Sequence, residues 1–243
     1  MKKVTSAVIC TVCLTVLIFS WGYMTPNKEL VGIVGGVIGF LSGLLHVWRA
    51  WHGKIQLKAS SWGIWALIGI SVCVTYDKAG DPAAFWPTVG NAFFPILNFL
   101  YCALHWKETQ GEPDPWDKRA FRFGVLSIAL YVATRTGLIE LFIAYTNIPM
   151  QFDKYVMANY IAIAADVCAV IPTLLFVWKY PMKERPFAWY LFSVGFGLAA
   201  FAVTDGKMSS YALPIYMSIG SSLVWLPQII RRFKKSIPLR KWY

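Results

Sequence analysis

The stretch NYIAIAADVCAVIPTLLFVWKY, residues 159–180, decides the class of this chain. It is apolar over about 20 residues, the length an α-helix needs to span the hydrocarbon of a bilayer. Yet it carries a carboxylate, Asp166, near its centre and a proline, Pro172, six residues later. A charge in oil costs at least about 2.5–3.5 kcal/mol on insertion scales, so Asp166 is expected to meet a partner or face a water-filled cavity. The proline removes a backbone donor and permits a bend, which membrane helices tolerate.

The rest of the chain has the same character. Its 243 residues are 57% hydrophobic and 14% charged, where soluble domains run nearer a quarter charged. Apolar blocks at 4–24, 30–50, 61–77, 84–106, 119–145, 154–179, 187–204 and 209–230 predict an all-α polytopic membrane protein with eight transmembrane helices. The net charge of +11 would suit nucleic acid, but its distribution excludes that partner. Eighteen Lys and Arg fall at the N-terminus, in alternate loops and in the tail, on one side. Only Lys28, Lys78, Lys154 and Lys207 fall on the other, and Arg135 lies within a helix. This asymmetry is a positive-inside signal. It makes both termini cytoplasmic and leaves the tail RRFKKSIPLRKW, 231–242, a secondary candidate for anionic lipid. The short basic N-terminus and compact loops suggest a bacterial inner (plasma) membrane. MKKVTSAVICTVCLTVLIF, 1–19, has no convincing small-x-small cleavage site and reads as a retained signal anchor. The five cysteines, 10, 13, 73, 102 and 168, fall in apolar helices without metal-like spacing and read as small core residues.

The polar segment HWKETQGEPDPWDKR, 105–119, divides the chain, and the halves share a local pattern. VWR at 47–49 and VWK at 177–179 each end a helix. A basic loop and a helix opening with tryptophan follow each: SSWGIW at 60–65 and FAWYLF at 187–192. A third helix then carries Pro-Ile, in FFPILN at 93–98 and ALPIYM at 212–217. Charge puts VWR and VWK on the same side, which requires an odd number of helices between the units, and the block 119–145 supplies one. The expected plan is an extra N-terminal helix plus 3+1+3 parallel three-helix repeats, a known transporter arrangement. Its parts are an N-terminal signal-anchor helix, 1–28; a first three-helix unit, 29–106; a cytoplasmic loop and linker helix, 107–150; a second three-helix unit, 151–235; and a basic cytoplasmic tail, 236–243.

This organisation resembles the SWEET and PQ-loop transporter superfamily over roughly residues 29–235. AVIPTLLFVWKYP, 169–181, is similar to its proline-containing first helix, and SSWGIWALIGISVCVTYDKAGD, 60–81, to its second helix and outer loop. Asn91, in TVGNAFFPILN, falls near the substrate-binding asparagine of sugar carriers. ELVGIVGGVIGFL and FFPILNFLYCALHW echo the nicotinamide riboside transporter branch. The first-unit position matching Pro172 is Ser42, and the literal Pro227–Gln228 precedes no helix.

Asp166 lies about 12 residues, or roughly 18 Å, into its helix, and Arg135 about 16 residues, or roughly 24 Å, into its own from the opposite side. Both are expected near mid-depth, as a pair or with Asp166 facing a cavity. The buried amides Asn91 and Asn98 suit a hydroxyl-rich solute; Asn159 reads as an interhelical hydrogen bonder. Trp62, Trp65, Trp86, Trp189 and Tyr190 read first as interfacial anchors, with Trp62 and Trp189 also candidates to line a solute site. Pro95, Pro172 and Pro214 are candidate hinges, and Glu140 an interfacial carboxylate.

Several enzyme readings fail on inventory, which leaves only an intramembrane catalyst of unfamiliar constellation as an enzyme alternative. There is no HExxH, no GxSxG and no phosphate-binding glycine loop, and no lysine at mid-membrane depth for a Schiff base. No cofactor or metal is expected. The expectation is a small-solute transporter or facilitator for a sugar, nucleoside or vitamin-like neutral solute, working by alternating access. Asp166 is a candidate proton carrier, and oligomerisation is left open. The rival is a receptor or scaffold of the same fold.

Overall fold

A computed structural model describes residues 2–55, 57, 59–109, 115–146, 153–237 and 242. The helices are α1 (Lys2–Met24), α2 (Lys28–Trp51), α3 (Ala59–Ala79), α4 (Trp86–Leu104), α5 (Trp106–Thr109), α6 (Pro115–Arg135), α7 (Leu138–Thr146), α8 (Lys154–Lys179), α9 (Pro186–Ala202) and α10 (Met208–Lys234), with a 3-10 turn at Pro82–Ala84. Their starts follow local chemistry. The Asn27 side chain accepts from Leu30 N at 3.0 Å, and Asp153 from Tyr155 N at 2.8 Å, each satisfying an orphan donor of the first turn. Pro186 at the start of α9 needs no donor there.

Among the described residues, four segments are long and apolar enough to cross a bilayer: Lys28–Trp51, Pro82–Leu104, Lys154–Lys179 and Met208–Lys234. The chain is therefore an integral membrane protein of helices. The eight spans expected from the sequence are not all of that kind. α9 has 17 residues, about 26 Å of helix. α6 carries Asp117, Lys118, Arg119, Arg122 and Arg135. The block 119–145 is also not one helix. It breaks after Arg135, where Gly137 adopts φ +81°, a conformation that costs glycine little.

α4 packs on both α2 and α3, and α10 on both α8 and α9. α2 lies against α9, α3 against α8, α6 against α8 and α3, and α1 against α9. The α2–α9 approach depends on the absence of side chains. A Cβ on Gly35 would stand 2.7 Å from the Gly195 carbonyl oxygen, and one on Gly195 would stand 2.7 Å from that of Gly35. Such backbone proximity is how membrane helices gain van der Waals contact without a hydrophobic driving force. α8 buries the small stripe Ala158, Ala162, Ala165 and Ala169.

Prolines inside these helices leave carbonyls without their usual donors. In α10, Pro214 orphans Ser210 and Pro227 orphans Leu223. The Tyr76 hydroxyl donates to Ser210 O at 2.6 Å, and the Trp178 indole N–H donates to Leu223 O at 3.2 Å.

Candidate functional site

A cavity lies among α2, α3, α4, α8, α9 and α10, and all six contribute to its wall. Five of the six candidate solute residues line it: Trp62, Asn91, Asn98, Asp166 and Trp189. Helical spacing explains the convergence. Asn91, Pro95 and Asn98 follow one another at four and three residues on one face of α4, and Pro95 is the one candidate hinge in the wall. Pro172 and Pro214 are buried within α8 and α10.

Asp166 is 7% exposed, and its carboxylate accepts a 2.6 Å hydrogen bond from the Tyr216 hydroxyl of α10. The expected Arg135–Asp166 pair is not formed. α6 starts at Pro115, so Arg135 lies about 30 Å along it, at the helix end. There its guanidinium lies 4.4 Å from the centre of the Tyr155 ring. Tyr155 is 11 residues from Asp166 on α8, about 16 Å along the axis. Arg135 instead lines a separate hollow with Cys73, Asp77, Lys78 and Tyr155.

The amides divide by role. Asn98 donates to Phe94 O at 3.2 Å, while its buried Oδ1 has no partner among the described residues. It is an unused acceptor in the cavity wall. Asn91 is 8% exposed in the same wall. Asn159 lies outside the cavity and donates to Ser209 O of α10 at 3.4 Å, an interhelical contact.

The tryptophans correct the anchoring expectation. Trp62 and Trp65 are each 8% exposed, enclosed by protein. Tyr190 is buried too, its hydroxyl 2.5 Å from Thr15 Oγ1. Trp86 remains exposed. Around His46, ring centroids lie 5.0 Å away for Trp62 and 5.6 Å for Trp189, and Trp65 lies 4.9 Å from Trp62. Offset and tilted aromatic contacts of this kind stabilise a wall beyond its buried area.

His46 and Tyr216 escaped the sequence reading. Ser42, His46 and Arg49 recur at four and three residues on α2, and that polar stripe in an apolar helix was the available signal. Ser42 Oγ donates to Ala188 O of α9 at 2.6 Å. Tyr216 had no such signal, because its role depends on α8 lying beside α10. The Glu140 side chain lies outside the described residues.

Polar contacts between the halves occur at both ends of the bundle. At one, Asp81 Oδ2 accepts from Thr204 Oγ1 at 2.7 Å and Asp205 N at 3.0 Å, while Oδ1 accepts from Ala83 N at 2.8 Å. Burial pushes the Asp81 carboxyl up, but the combined hydrogen bonds outweigh it and hold the carboxyl below its ordinary range. At the other, fully buried Arg49 donates to Arg185 O at 3.4 Å. Arg232, also buried, donates to Pro181 O at 2.8 Å and to Glu184 O. Glu184 is enclosed in this loop. Burial pushes its carboxyl up to about 7, against the lowering effects of the Arg185 backbone N–H and the Arg49 and Arg232 charges.

Compared with protein-family models, curated proteins and solved structures, the chain matches none. The fold and cavity define a helical integral membrane protein with a largely apolar cavity that carries a few polar groups.

Proposed function

We propose that this chain is a small-solute transporter or facilitator, moving a sugar, nucleoside or vitamin-like neutral solute by alternating access between two three-helix units. The observation that carries the reading is one cavity to which both units bring polar groups: Asn91 and Asn98 from the first, Asp166 and Tyr216 from the second. A receptor or scaffold would be served by a packed centre, so the cavity favours transport.

The 3+1+3 plan is supported by the helix contacts. In each unit the third helix packs on the other two, and the first helix of each unit packs on the second helix of the other. Trp62 and Trp189, at matching positions of the sequence repeat, both contact His46. α6 then serves as the linker and α1 as the extra helix, with the termini cytoplasmic by the charge count. With no nucleotide-binding motif in the sequence, movement is downhill or coupled to an ion, with Asp166 the candidate proton carrier.

Water access to the cavity tests the reading. In a background with the five native cysteines replaced, Asp166→Cys and Ser221→Cys are labelled with a small membrane-impermeant thiol reagent from each side. Labelling of both positions, altered by a candidate solute, is expected. A folded protein in which neither labels from either side would overturn it.

A further inference from the structure

A second feature lies outside the cavity, where the ends of α8 and α10 flank a groove. Its apolar lining is Trp178, Pro181, Pro227 and Ile230, and its polar lining is Lys179, Arg231 and Lys234. All three cations are exposed, and among the described residues no acidic side chain lines the groove. The nearby Glu184 is 7% exposed, enclosed in the loop beside Arg49 and Arg232, and offers no surface counter-charge. Next to the groove, Leu175 of α8 and Leu223 and Leu226 of α10 expose 49%, 42% and 39% of their surface.

The wall is fixed in place. Pro227 leaves the Leu223 carbonyl without a helical donor, and the Trp178 indole supplies one from α8. That bond spans the two helices and holds the large apolar face of Trp178 beside the cations. Three cations at the end of two bilayer-length helices, beside an exposed aliphatic strip, match a molecule with an anionic head and an apolar tail.

We propose that this groove is a binding site for an anionic phospholipid. The phosphodiester headgroup lies against Lys179, Arg231 and Lys234, and an acyl chain follows Leu175, Leu223 and Leu226. Basic pockets between membrane helices bind anionic headgroups through the same chemistry. The site does not depend on transport, and its success or failure is independent of the central cavity.

The test uses the purified full chain in detergent, with native mass spectrometry of bound phosphatidylglycerol and phosphatidylcholine of matched acyl chains. The expected result is preferential retention of phosphatidylglycerol. A Lys179→Gln/Arg231→Gln/Lys234→Gln variant weakens that retention by about tenfold or more. A control of equal charge loss at exposed positions elsewhere, Lys107→Gln/Lys118→Gln/Arg122→Gln, stays within about twofold of the parent. Melting curves check folding, and Arg231→Gln alone decides the matter, by a several-fold loss or none, should the triple variant unfold. Equal losses in the two triple variants would mean diffuse charge attraction and overturn the site. No preference for phosphatidylglycerol would do the same. Full displacement of the lipid by soluble glycerol phosphate would reassign the groove to a soluble anion and sink the lipid proposal.

Discussion

The Tyr76 hydroxyl donates a 2.6 Å hydrogen bond to the carbonyl of Ser210, the acceptor that Pro214 leaves without a helical partner. Tyr76 belongs to α3 and Ser210 to α10, so a proline defect in one half of the chain is repaired by a side chain from the other. Both residues are fully buried. The proline thereby becomes a point of attachment between the halves.

Removing that donor has a calculable effect. Tyr76→Phe is expected to lower stability by about 1–3 kcal/mol, the cost of a buried acceptor left unsatisfied. Pro214→Ala restores a backbone donor to Ser210, so the double variant Tyr76→Phe/Pro214→Ala is expected to lose less than the two single effects added. Denaturation of the purified protein in detergent measures all three. Strict additivity would show that the two residues are uncoupled.

Asp166 depends on Tyr216 and not on Arg135. Tyr216→Phe is expected to destabilise by about 1–3 kcal/mol, since it leaves a buried carboxyl oxygen without its donor. Arg135→Gln, at a site about 16 Å along α8 from Asp166, is expected to add independently to Asp166→Asn. A double-mutant cycle on melting temperature distinguishes the two couplings.

The α2–α9 seam discriminates among glycines. Gly35→Ala and Gly195→Ala each bring a methyl to 2.7 Å from a backbone oxygen, and backbone cannot move aside cheaply. Each is expected to cost about 1–3 kcal/mol. Gly39→Ala meets nothing within 4 Å on the same helix. It is expected to be neutral or stabilising, because alanine is the better helix former by about 1 kcal/mol. Melting temperatures in one detergent rank the three variants.

Glu184 makes stability depend on pH near neutrality. Its carboxyl titrates at about 7 when folded, against an ordinary 4.5. Between those values the folded state holds more protons than the unfolded, so stability falls as pH rises from about 4.5 to 7. Asp81 has the opposite sign. Its folded value is depressed, so its contribution is present above the ordinary carboxylate range and lost as pH falls through the folded value. Glu184 is expected to contribute a decline in melting temperature from pH 5 to about 7, and Glu184→Gln to remove that contribution. An unchanged slope in that variant would assign the dependence elsewhere.

Helix positions were largely legible because bilayer-length apolar runs and their caps are local properties. The caps at Asn27, Asp153 and Pro186 are equally local, although the sequence reading did not use them. The cavity residues on α4 were legible for the same reason, since Asn91, Pro95 and Asn98 share a face at helical spacing. The linker was misread because hydropathy does not register a break between two apolar segments. Gly137 ends α6 and leaves Arg135 at its tip. Trp86 is exposed as an anchor would be, whereas Trp62 and Trp65 are enclosed, because composition cannot say whether an aromatic faces lipid or another helix.

The sequence by itself determined that the chain forms long apolar helices with basic ends, and that one of them holds a carboxylate needing a partner. Periodicity, charge and length act within a single helix, so one dimension suffices for them. Only the tertiary structure decided that Tyr216 is a partner, that Tyr76 serves Ser210, and that His46 sits between Trp62 and Trp189. Those contacts join residues 50 or more positions apart in the first two cases. Their choice rests on which helices lie side by side, and small residues such as Gly35 and Gly195 set how closely they approach.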